Sequence, residues 1–224
     1  PNAEICDNDI DDDNNNLIDC NDPGCSSKVV CRQEQSQKLD LFVMSQCPFG
    51  VKAENAMKEI LENFPNIDFD LHFIANDNGD GTFSSLHGQP EVDGNIRQSC
   101  IEKYYPNKFM DYIWCQTDNY QNIGSTWESC ASKNGISTEA IKTCAEGEEG
   151  KQLLRENIKL TNDLNIGSSP TWFANNRYQF SGIDAETVKQ NFCSYNPGLP
   201  GCENVLSRTS TTTNTAPSAP GCVV

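Results

Sequence analysis

The sequence predicts an α/β fold, and three features of residue order carry that prediction. An apolar strand over residues 39–44 leads into a helix over about residues 48–64, and an alternating strand follows over residues 68–74. Several helical pieces occupy about residues 91–164. A hairpin and a final helix over about residues 184–193 then complete the order. Such an alternation of strands and helices predicts helices packed on a small sheet.

The first helix and the second strand are predicted from the spacing of their apolar residues. Over residues 48–64 these recur every three or four positions, which gives a helix one buried face, at Ala53, Ala56, Met57, Ile60, Leu61 and Phe64. In the second strand Phe69, Leu71 and Phe73 alternate with polar residues. An Asn/Asp/Gly loop over residues 76–81 interrupts this pattern.

The second half of the body supplies a hairpin. Residues 171–174 and 178–180 are predicted strands around Asn175 and Asn176. Strand, helix, strand, helical segment, hairpin and helix is the order of a thioredoxin fold with a helical insertion, here about residues 91–147. The first strand–helix–strand unit must then be parallel and right-handed.

Composition and charge exclude several classes of protein. The 224 residues include 16 basic and 32 acidic ones, for a net charge of −16, so a nucleic-acid partner is not expected. No apolar run reaches the roughly 18–20 residues that cross a bilayer, so we expect no membrane span. The chain begins at Pro1 rather than Met, as after removal of a leader. No C-x-x-C-H motif is present, and we expect neither haem nor nucleotide.

Twelve cysteines with only two histidines, His72 and His87, favour disulfides over a zinc site. Disulfides indicate a secreted or extracellular protein, or another oxidising compartment such as the cell surface, the periplasm or a lysosome-like organelle. The candidates are Cys6, Cys20, Cys25, Cys31, Cys100, Cys115, Cys130, Cys144, Cys193 and Cys202.

Proximity along the chain suggests three pairings, Cys100 with Cys115, Cys130 with Cys144, and Cys193 with Cys202. The four cysteines before residue 35 can pair with one another in three ways. This leaves Cys47 and Cys222. Cys222 follows a Ser/Thr/Pro/Ala tract over residues 207–220, which is predicted to be a linker or stalk because it has no large apolar residue to bury. Cys222 could resolve Cys47, link to a neighbouring molecule or be an incidental free thiol.

Cys47 is the candidate nucleophile. It lies in the sequence SQCPFG, where the first strand meets its helix, and a thiolate there faces the unpaired amides and positive end of the helix dipole. Pro48 suits the first helical turn because it has no amide hydrogen to leave unpaired. The alternative is a buried structural cysteine or a disulfide partner.

Pro170, in Ser-Pro-Thr just before the hairpin, is the second candidate. In thioredoxin-like folds the proline at this point is cis and lies against the reactive cysteine, and the backbone beside it can pair with an extended peptide. The alternative is an ordinary proline ahead of an edge strand.

The body resembles the gamma-interferon-inducible lysosomal thiol reductase (GILT) family, whose signature reads C-Q-H-G-x-x-E-C-x-x-N-x-x-x-x-C. The segment SLHGQPEVDGNIRQSC keeps His87, Gly88, Glu91, Asn95 and Cys100 at matching spacing. Cys115, Cys130, Cys144 and the stretch CAEGEEGKQLL fall where the family has similar residues. The resemblance implies a thioredoxin-fold enzyme that reduces protein disulfides. It covers about residues 38–194, but Ser85, Leu86 and Val92 depart from the signature.

The active-site motif also departs from the family, which has C-x-x-C where this chain has Cys47-Pro48-Phe49-Gly50. The second cysteine normally releases the reduced substrate from the mixed disulfide. Cys47 can therefore begin exchange but needs an outside thiol or a distant cysteine to finish it. Gly50→Cys is expected to raise turnover. We assign no catalytic role to His87, for which a loop histidine bonded to backbone is the simpler interpretation.

An acidic head precedes the body. Within DDDNNNLIDCND, oxygen ligands fall at the spacing of an EF-hand-like calcium loop, with the backbone carbonyl of Leu17 among them: Asp11, Asp13, Asn15, Leu17, Asp19 and Asp22. Asn16 takes the position usually held by Gly, where left-handed geometry is needed. The segment resembles thrombospondin type 3 repeats. We expect a structural Ca²⁺ and two disulfides to staple it, since it has almost no core. A solvated acidic run is the alternative.

Together these features predict three parts, an acidic calcium-binding segment over residues 1–35, a thioredoxin-like domain over residues 38–202 and a tail over residues 203–224. One hypothesis for function is a thiol–disulfide oxidoreductase that forms mixed disulfides through Cys47 with protein or peptide substrates. The other is a non-catalytic extracellular structural or assembly protein, with copies of itself as partners.

Overall fold

The computed structural model describes residues 3–26, 28–208 and 221–223. In chain order its elements are β1 (Lys38–Val43), α1 (Pro48–Asn63), β2 (Asp68–Phe73), β3 (Asn76–Asp77), β4 (Phe83–Ser84), α2 (Gln89–Tyr104), α3 (Pro106–Thr117), α4 (Ile123–Lys133), α5 (Thr138–Glu146), α6 (Glu148–Asp163), β5 (Ser168–Ser169), β6 (Thr171–Ala174), β7 (Tyr178–Phe180), α7 (Ala185–Ser194) and β8 (Cys222–Val223).

A four-stranded sheet in the order β2-β1-β6-β7 forms the centre of the body. β1 is parallel to β2 and antiparallel to β6, so Leu41 lies between Leu71 and Trp172. β6 and β7 form the predicted antiparallel hairpin. The predicted α/β fold with a helical insertion is confirmed, and the strands begin and end within about one residue of their predicted bounds.

The two faces of the sheet bury separate apolar clusters. The larger cluster joins the sheet to α1, α7 and the helical insertion, with Trp172 its largest fully buried side chain. The smaller one contains Phe42, Met44, Cys47, Ile74, Leu164, Ile166 and Phe173. Cys47 therefore belongs to a core as well as to a strand–helix junction.

The insertion is built around α2, which contacts α3, α4, α5 and α6. Two predicted disulfides are wrong as a result, because α2 packs against α5 while α3 packs against α4. Cys100 is joined to Cys144, and Cys115 to Cys130, rather than Cys100 to Cys115 and Cys130 to Cys144. Spacing along the chain does not reveal which helices cross. Cys193 and Cys202 pair as predicted.

Over its described residues the acidic head has only short 3₁₀ turns, at Asp19–Asn21, Pro23–Cys25 and Val29–Cys31. Two disulfides hold it, Cys6–Cys25 and Cys20–Cys31. It docks on the end of the hairpin, where a guanidinium nitrogen of Arg177 donates to the carbonyl oxygen of Val30 at 2.7 Å.

Two short strand pairings were not predicted. The loop over residues 76–81 begins with β3, which pairs with β4. β8 pairs with β5 and had no sequence signal. Of the predicted Ser/Thr/Pro tract, residues 209–220 lie outside the described residues. Among the helices of the described ranges, none is long and apolar enough to cross a bilayer.

Candidate active site and candidate metal centre

Cys47 caps the N-terminus of α1, directly before Pro48 at the first helical position. Its amide donates to the carbonyl of Met44 at 2.9 Å, and its own carbonyl accepts from the amide of Val51 at 2.9 Å. The tight turn arises because the chain must reverse from β1 into α1 within four residues. Cys47 is thereby fixed at the N-terminus of the helix, and it is fully buried.

Cys47 is joined to Cys222 in a disulfide that closes 175 residues of sequence, with Cα atoms 6.1 Å apart. The pairing of β8 with β5 places Cys222 opposite Ser169 and Val223 opposite Ser168. All twelve cysteines are described, and none is free. Of the three possibilities for Cys222, the structure shows the contact with Cys47.

Ser169 and Pro170 form the opposite wall of the site. The Ser169–Pro170 bond is cis, as predicted. Sγ of Cys47 lies 3.5 Å from the carbonyl oxygen of Ser169, and the Ser169 hydroxyl accepts a hydrogen bond from the amide of Met44 at 2.9 Å. The predicted proximity of Cys47 to the proline loop is therefore observed.

Gly50 fills the position of the second cysteine in a C-x-x-C motif, and the structure shows what confines it. A Cβ at Gly50 would lie 2.7 Å from the hydroxyl oxygen of Ser169 and 3.1 Å from the carbonyl oxygen of Met44. The first atom belongs to the Ser169–Pro170 wall, and the second accepts a hydrogen bond from the amide of Cys47, so a side chain at position 50 requires one of them to shift. That Gly50→Cys raises turnover stays a prediction.

A polar brace holds the turn before Cys47 from the α2 side. The amide of Gln46 donates to Glu91 Oε1 at 2.6 Å, and the hydroxyl of Ser45 donates to Asn95 Oδ1 at 2.6 Å. Glu91 also contacts His87 Nδ1 at 2.9 Å and accepts from the hydroxyl of Ser85 at 2.5 Å. His87 thus bonds a carboxylate rather than the backbone alone. This positioning role of Glu91 and Asn95 was missed, although both stand in the signature segment.

Two departures from the signature have structural replacements. Ser85 stands where the signature has a cysteine and donates instead to Glu91. Val92 replaces the other cysteine and is 1% exposed, within the larger apolar cluster. The brace therefore remains intact without these two cysteines.

A buried acid lies near the brace, on α1. Burial, followed by the charge of Glu91, raises the pKa of Glu54 well above its ordinary value. Its Oε1 has no hydrogen-bond partner among the described residues. The neutral acid is therefore the form favoured at this position.

The acidic head brings some of its predicted ligands together. Carboxylate oxygens of Asp11 and Asp13 lie within 4.8 Å of each other and of Glu4, a residue that the sequence pattern missed. The side-chain amide of Asn15 donates to Asp13 at 3.0 Å and also to Asp22, so a donor sits where two carboxylates converge. Asn16 has a φ of 69°, the left-handed geometry predicted for it.

The remaining predicted ligands are placed differently. Asp22 is buried, and its Oδ1 accepts from the amide of Gly24 at 2.5 Å. Both oxygens of Asp19 accept backbone amides, from Asn8 and Asp9 at 3.0 Å each. Leu17 has an exposed side chain, and its amide donates to Asn15 Oδ1 at 2.8 Å. The candidate metal ligands are thus all oxygen atoms. Those of Asp19 already accept hydrogen bonds from backbone amides.

Asp40, Asp70 and His72 form another cluster of possible ligands, on β1 and β2. The ammonium of Lys38 lies 3.5 Å from Asp40 and in direct contact with Asp70. A side-chain cation therefore already pairs with both carboxylates of this cluster.

Comparison with known proteins shows which proteins this chain is similar to. The family model "Gamma interferon inducible lysosomal thiol reductase (GILT)" matches residues 38–134. GILT-like protein 1 of Drosophila melanogaster is 28% identical over 173 residues, 69% of this chain and 68% of that protein. Gamma-interferon-inducible lysosomal thiol reductase of Carassius auratus is 26% identical over 160 residues, 62% of this chain and 63% of that protein.

Solved structures show the same fold. Oxidised BdbD from Bacillus subtilis has a TM-score of 0.58 at 16% identity, covering 72% of this chain and 88% of that one. The thiol-disulfide exchange protein α-DsbA2 from Wolbachia pipientis has a TM-score of 0.55 at 12% identity, covering 70% and 80%. Residues 38–134 therefore match the GILT family model, within a chain that has a thioredoxin-like fold.

Proposed function

We propose that this chain is a thiol–disulfide oxidoreductase of an oxidising compartment, with Cys47 as its nucleophile. The observation that carries the proposal is the position of Cys47 at the N-terminus of α1, facing the Ser169–Pro170 wall. The match to the GILT family model is consistent with this chemistry. Six disulfides support maturation outside a reducing cytosol.

The reaction begins from the reduced chain. The Cys47 thiolate attacks one sulfur of a substrate disulfide, forms a mixed disulfide and expels the other sulfur as a thiolate, which takes a proton from solvent. The unpaired amides of the first turn of α1 favour the thiolate. Glu91 and Asn95 act as positioning residues, because they hold the two residues that precede Cys47.

Substrates are proposed to be extended protein or peptide segments that contain a disulfide. Ser168–Ser169 is a short edge that pairs with a strand in this structure, which supports strand addition as the mode of docking. Pro170 follows this edge and leaves no amide to compete for the same partners.

The alternative function is a non-catalytic structural or assembly role. One observation favours it, because Cys47 is both bridged and fully buried. The two proposals differ in what happens to Cys47 under mild reduction. A catalytic Cys47 exchanges rapidly with small disulfides, whereas a structural Cys47 does not.

Replacement of the nucleophile tests the proposal. Cys47→Ser is expected to abolish reduction of a labelled peptide disulfide by the prereduced chain, while the circular dichroism spectrum stays unchanged. Cys115→Ser with Cys130→Ser is the matched control, because it also removes one disulfide but leaves the strand–helix junction intact. Full activity in Cys47→Ser would show that the nucleophile is elsewhere or that the activity is not this chain's.

We also propose that the acidic head binds Ca²⁺ in a structural role. The fit rests on hard oxygen ligands, since Glu4, Asp11 and Asp13 bring carboxylate oxygens within 4.8 Å of one another, and Asp22 is joined to Asp13 through the side chain of Asn15. Asn15 itself would coordinate through Oδ1, because its NH₂ group can only donate. Asp19 and the carbonyl of Leu17 complete the proposed ligands. When bound, the ion would supply neutralisation and cross-linking to a segment with little apolar core.

Calorimetry tests the calcium proposal. Ca²⁺ at about a hundred times its Kd is expected to stabilise the head by about 2.7 kcal/mol, and chelation should lower the melting temperature. Asp13→Ala is expected to remove the heat of binding, whereas Asp7→Ala, exposed and outside the loop, retains it. Absence of heat with the unaltered chain would refute calcium binding.

A further inference from the structure

We propose that Cys222 is the resolving cysteine of Cys47, and that β8, which carries it, occupies the edge at which a substrate peptide pairs. The inference rests on the proposed function and names a second catalytic residue for it. In this view the oxidised chain shows its own C-terminal segment in the position of a substrate joined to Cys47.

The local resolving position is closed. Gly50 has no side chain, and a Cβ there would lie 2.7 Å from the Ser169 hydroxyl oxygen. The ten cysteines other than Cys47 and Cys222 are paired with one another in five disulfides. Cys222 is therefore the cysteine of this chain that remains to resolve Cys47.

The backbone of the C-terminal segment is fitted to the site. Ser169 pairs antiparallel with Cys222, and Ser168 with Val223. A Cβ at Gly221 would lie 3.0 Å from the carbonyl oxygen of Ser169, so glycine is what permits this approach. The same two serines are the edge proposed for substrates, so β8 and a substrate strand compete for it.

The burial of the two cysteine residues sets the order of events. Cys47 is fully buried, whereas Cys222 is only partly buried beside it. An external thiol therefore reaches the sulfur of Cys222 and expels the Cys47 thiolate, which the first turn of α1 stabilises. The first external thiol is now joined to Cys222 in a mixed disulfide. A second external thiolate attacks the sulfur of that first thiol, so that Cys222 leaves as a thiolate and the two external thiols become a disulfide. Release of β8 opens Ser168–Ser169 to a substrate.

The substrate half of the cycle balances without a further reagent. Cys47 attacks the substrate disulfide and releases one substrate thiolate. Cys222 then attacks Sγ of Cys47, which forms the Cys47–Cys222 bond and releases the second substrate thiolate. Two electrons pass from the dithiol to the substrate, both product thiolates take protons from solvent, and the chain returns to the state in this structure.

A single-turnover experiment on the full chain tests the inference. The chain is reduced until only Cys47 and Cys222 are free by mass mapping, freed of reductant and mixed with an equimolar amount of the chromogenic disulfide dithiobis-nitrobenzoate. The unaltered chain is expected to release both halves of the reagent and to retain no adduct. Cys222→Ser is expected to release one half and to keep the other on Cys47 at least about tenfold longer, because the tethered thiol is lost.

A pair of glycine variants separates docking from simple exposure of a thiol. Gly221→Ala is expected to slow loss of the adduct at least about fivefold, since its Cβ crowds the Ser169 carbonyl. Gly124→Ala is the matched control, because a Cβ at Gly124 meets no atom within 4 Å.

The outcomes separate the two proposals. If the adduct forms on Cys47 and persists equally in the unaltered chain and in Cys222→Ser, the resolving role is wrong while Cys47 remains the nucleophile. If Cys222→Ser forms no adduct on Cys47, the proposed function fails and this inference fails with it. Equal rates for Gly221→Ala and Gly124→Ala would overturn the docking of β8.

Discussion

The Cys47–Cys222 disulfide differs from the Cys100–Cys144 disulfide in what it joins. Cys100 and Cys144 lie on helices that pack against each other, and both side chains are buried in the larger apolar cluster. Cys222 lies on a two-residue strand, and its own side chain is partly exposed. The Cys100–Cys144 bond joins two helices that are already packed together. The Cys47–Cys222 bond holds a short C-terminal segment at the N-terminus of a helix.

The difference teaches that a disulfide's role follows from its surroundings rather than from its geometry. A bond between buried helices resists exchange because no thiolate reaches it. A bond with one accessible sulfur, and with a leaving thiolate favoured by a helix N-terminus, is suited to exchange. Three perturbations test this contrast, from the largest expected effect to the smallest.

Removal of the helical-layer disulfide is expected to have the largest effect on stability. Cys100 and Cys144 are separated by 44 residues, so Cys100→Ala with Cys144→Ala is expected to lower the free energy of unfolding by about 4 kcal/mol. Cys193→Ala with Cys202→Ala, separated by 9 residues, is the matched control and should cost about 2.5 kcal/mol. Urea denaturation measures both. An equal or smaller loss for the first pair would contradict the dependence of the stabilisation on loop length.

The fold was largely predictable because the spacing of apolar residues shows each helix and strand within a short stretch of sequence. The alternation in β2 and the three-to-four spacing in α1 fixed both elements within a residue or so. The pairing of Cys100 was not predictable in the same way, because it depends on α2 crossing α5, a contact that spacing along the chain does not encode.

Glu102 provides the second perturbation, in the same helical layer. Burial, followed by the charge of Asp70, raises the pKa of Glu102 from 4.5 to about 8. Below pH 4.5 the folded and unfolded states are both protonated, so the group has no effect. Between pH 4.5 and about 8 the folded state holds the proton longer, so stability falls as pH rises and stays lowered above about pH 8.

Glu102→Gln is therefore expected to remove this loss. At alkaline pH the variant should be more stable than the unaltered chain by about 2 kcal/mol, a value reduced because part of the Glu102 side chain remains solvated. At acidic pH the two proteins should be nearly equal in stability. Urea denaturation across the pH range measures the difference. Parallel stability curves for the two proteins would contradict the assigned burial of Glu102.

The smallest expected effect is at the brace of the redox site. Ser45→Ala leaves Asn95 without its hydrogen-bond donor in a buried position, at a cost of about 1 kcal/mol. Ser84→Ala is the matched control, because Ser84 is exposed and bonds only at the surface. Thermal unfolding detects the difference. Equal melting temperatures would show that the brace contributes nothing measurable.

The candidate site was predictable in part, for a physical reason. Cys47 and Pro170 were predicted because a strand–helix junction and a proline before a hairpin can each be recognised from a short stretch of sequence. The roles of Glu91 and Asn95 were not predicted, since a buried acceptor for a loop amide or a loop hydroxyl looks in sequence like any polar helical residue. The contact of Cys222 with Cys47 required the strand β8, and a two-residue strand has no periodicity to detect.

The most direct measurement is the order in which the six disulfides are reduced. The native chain is titrated with a dithiol, quenched with an alkylating agent, digested and mapped by mass spectrometry. Cys47 and Cys222 are predicted to be alkylated first, before Cys20 and Cys31, whose disulfide includes the exposed Cys20 but no residue at the N-terminus of an α-helix. Early reduction of Cys20–Cys31 with Cys47–Cys222 surviving among the last would contradict a redox-active Cys47.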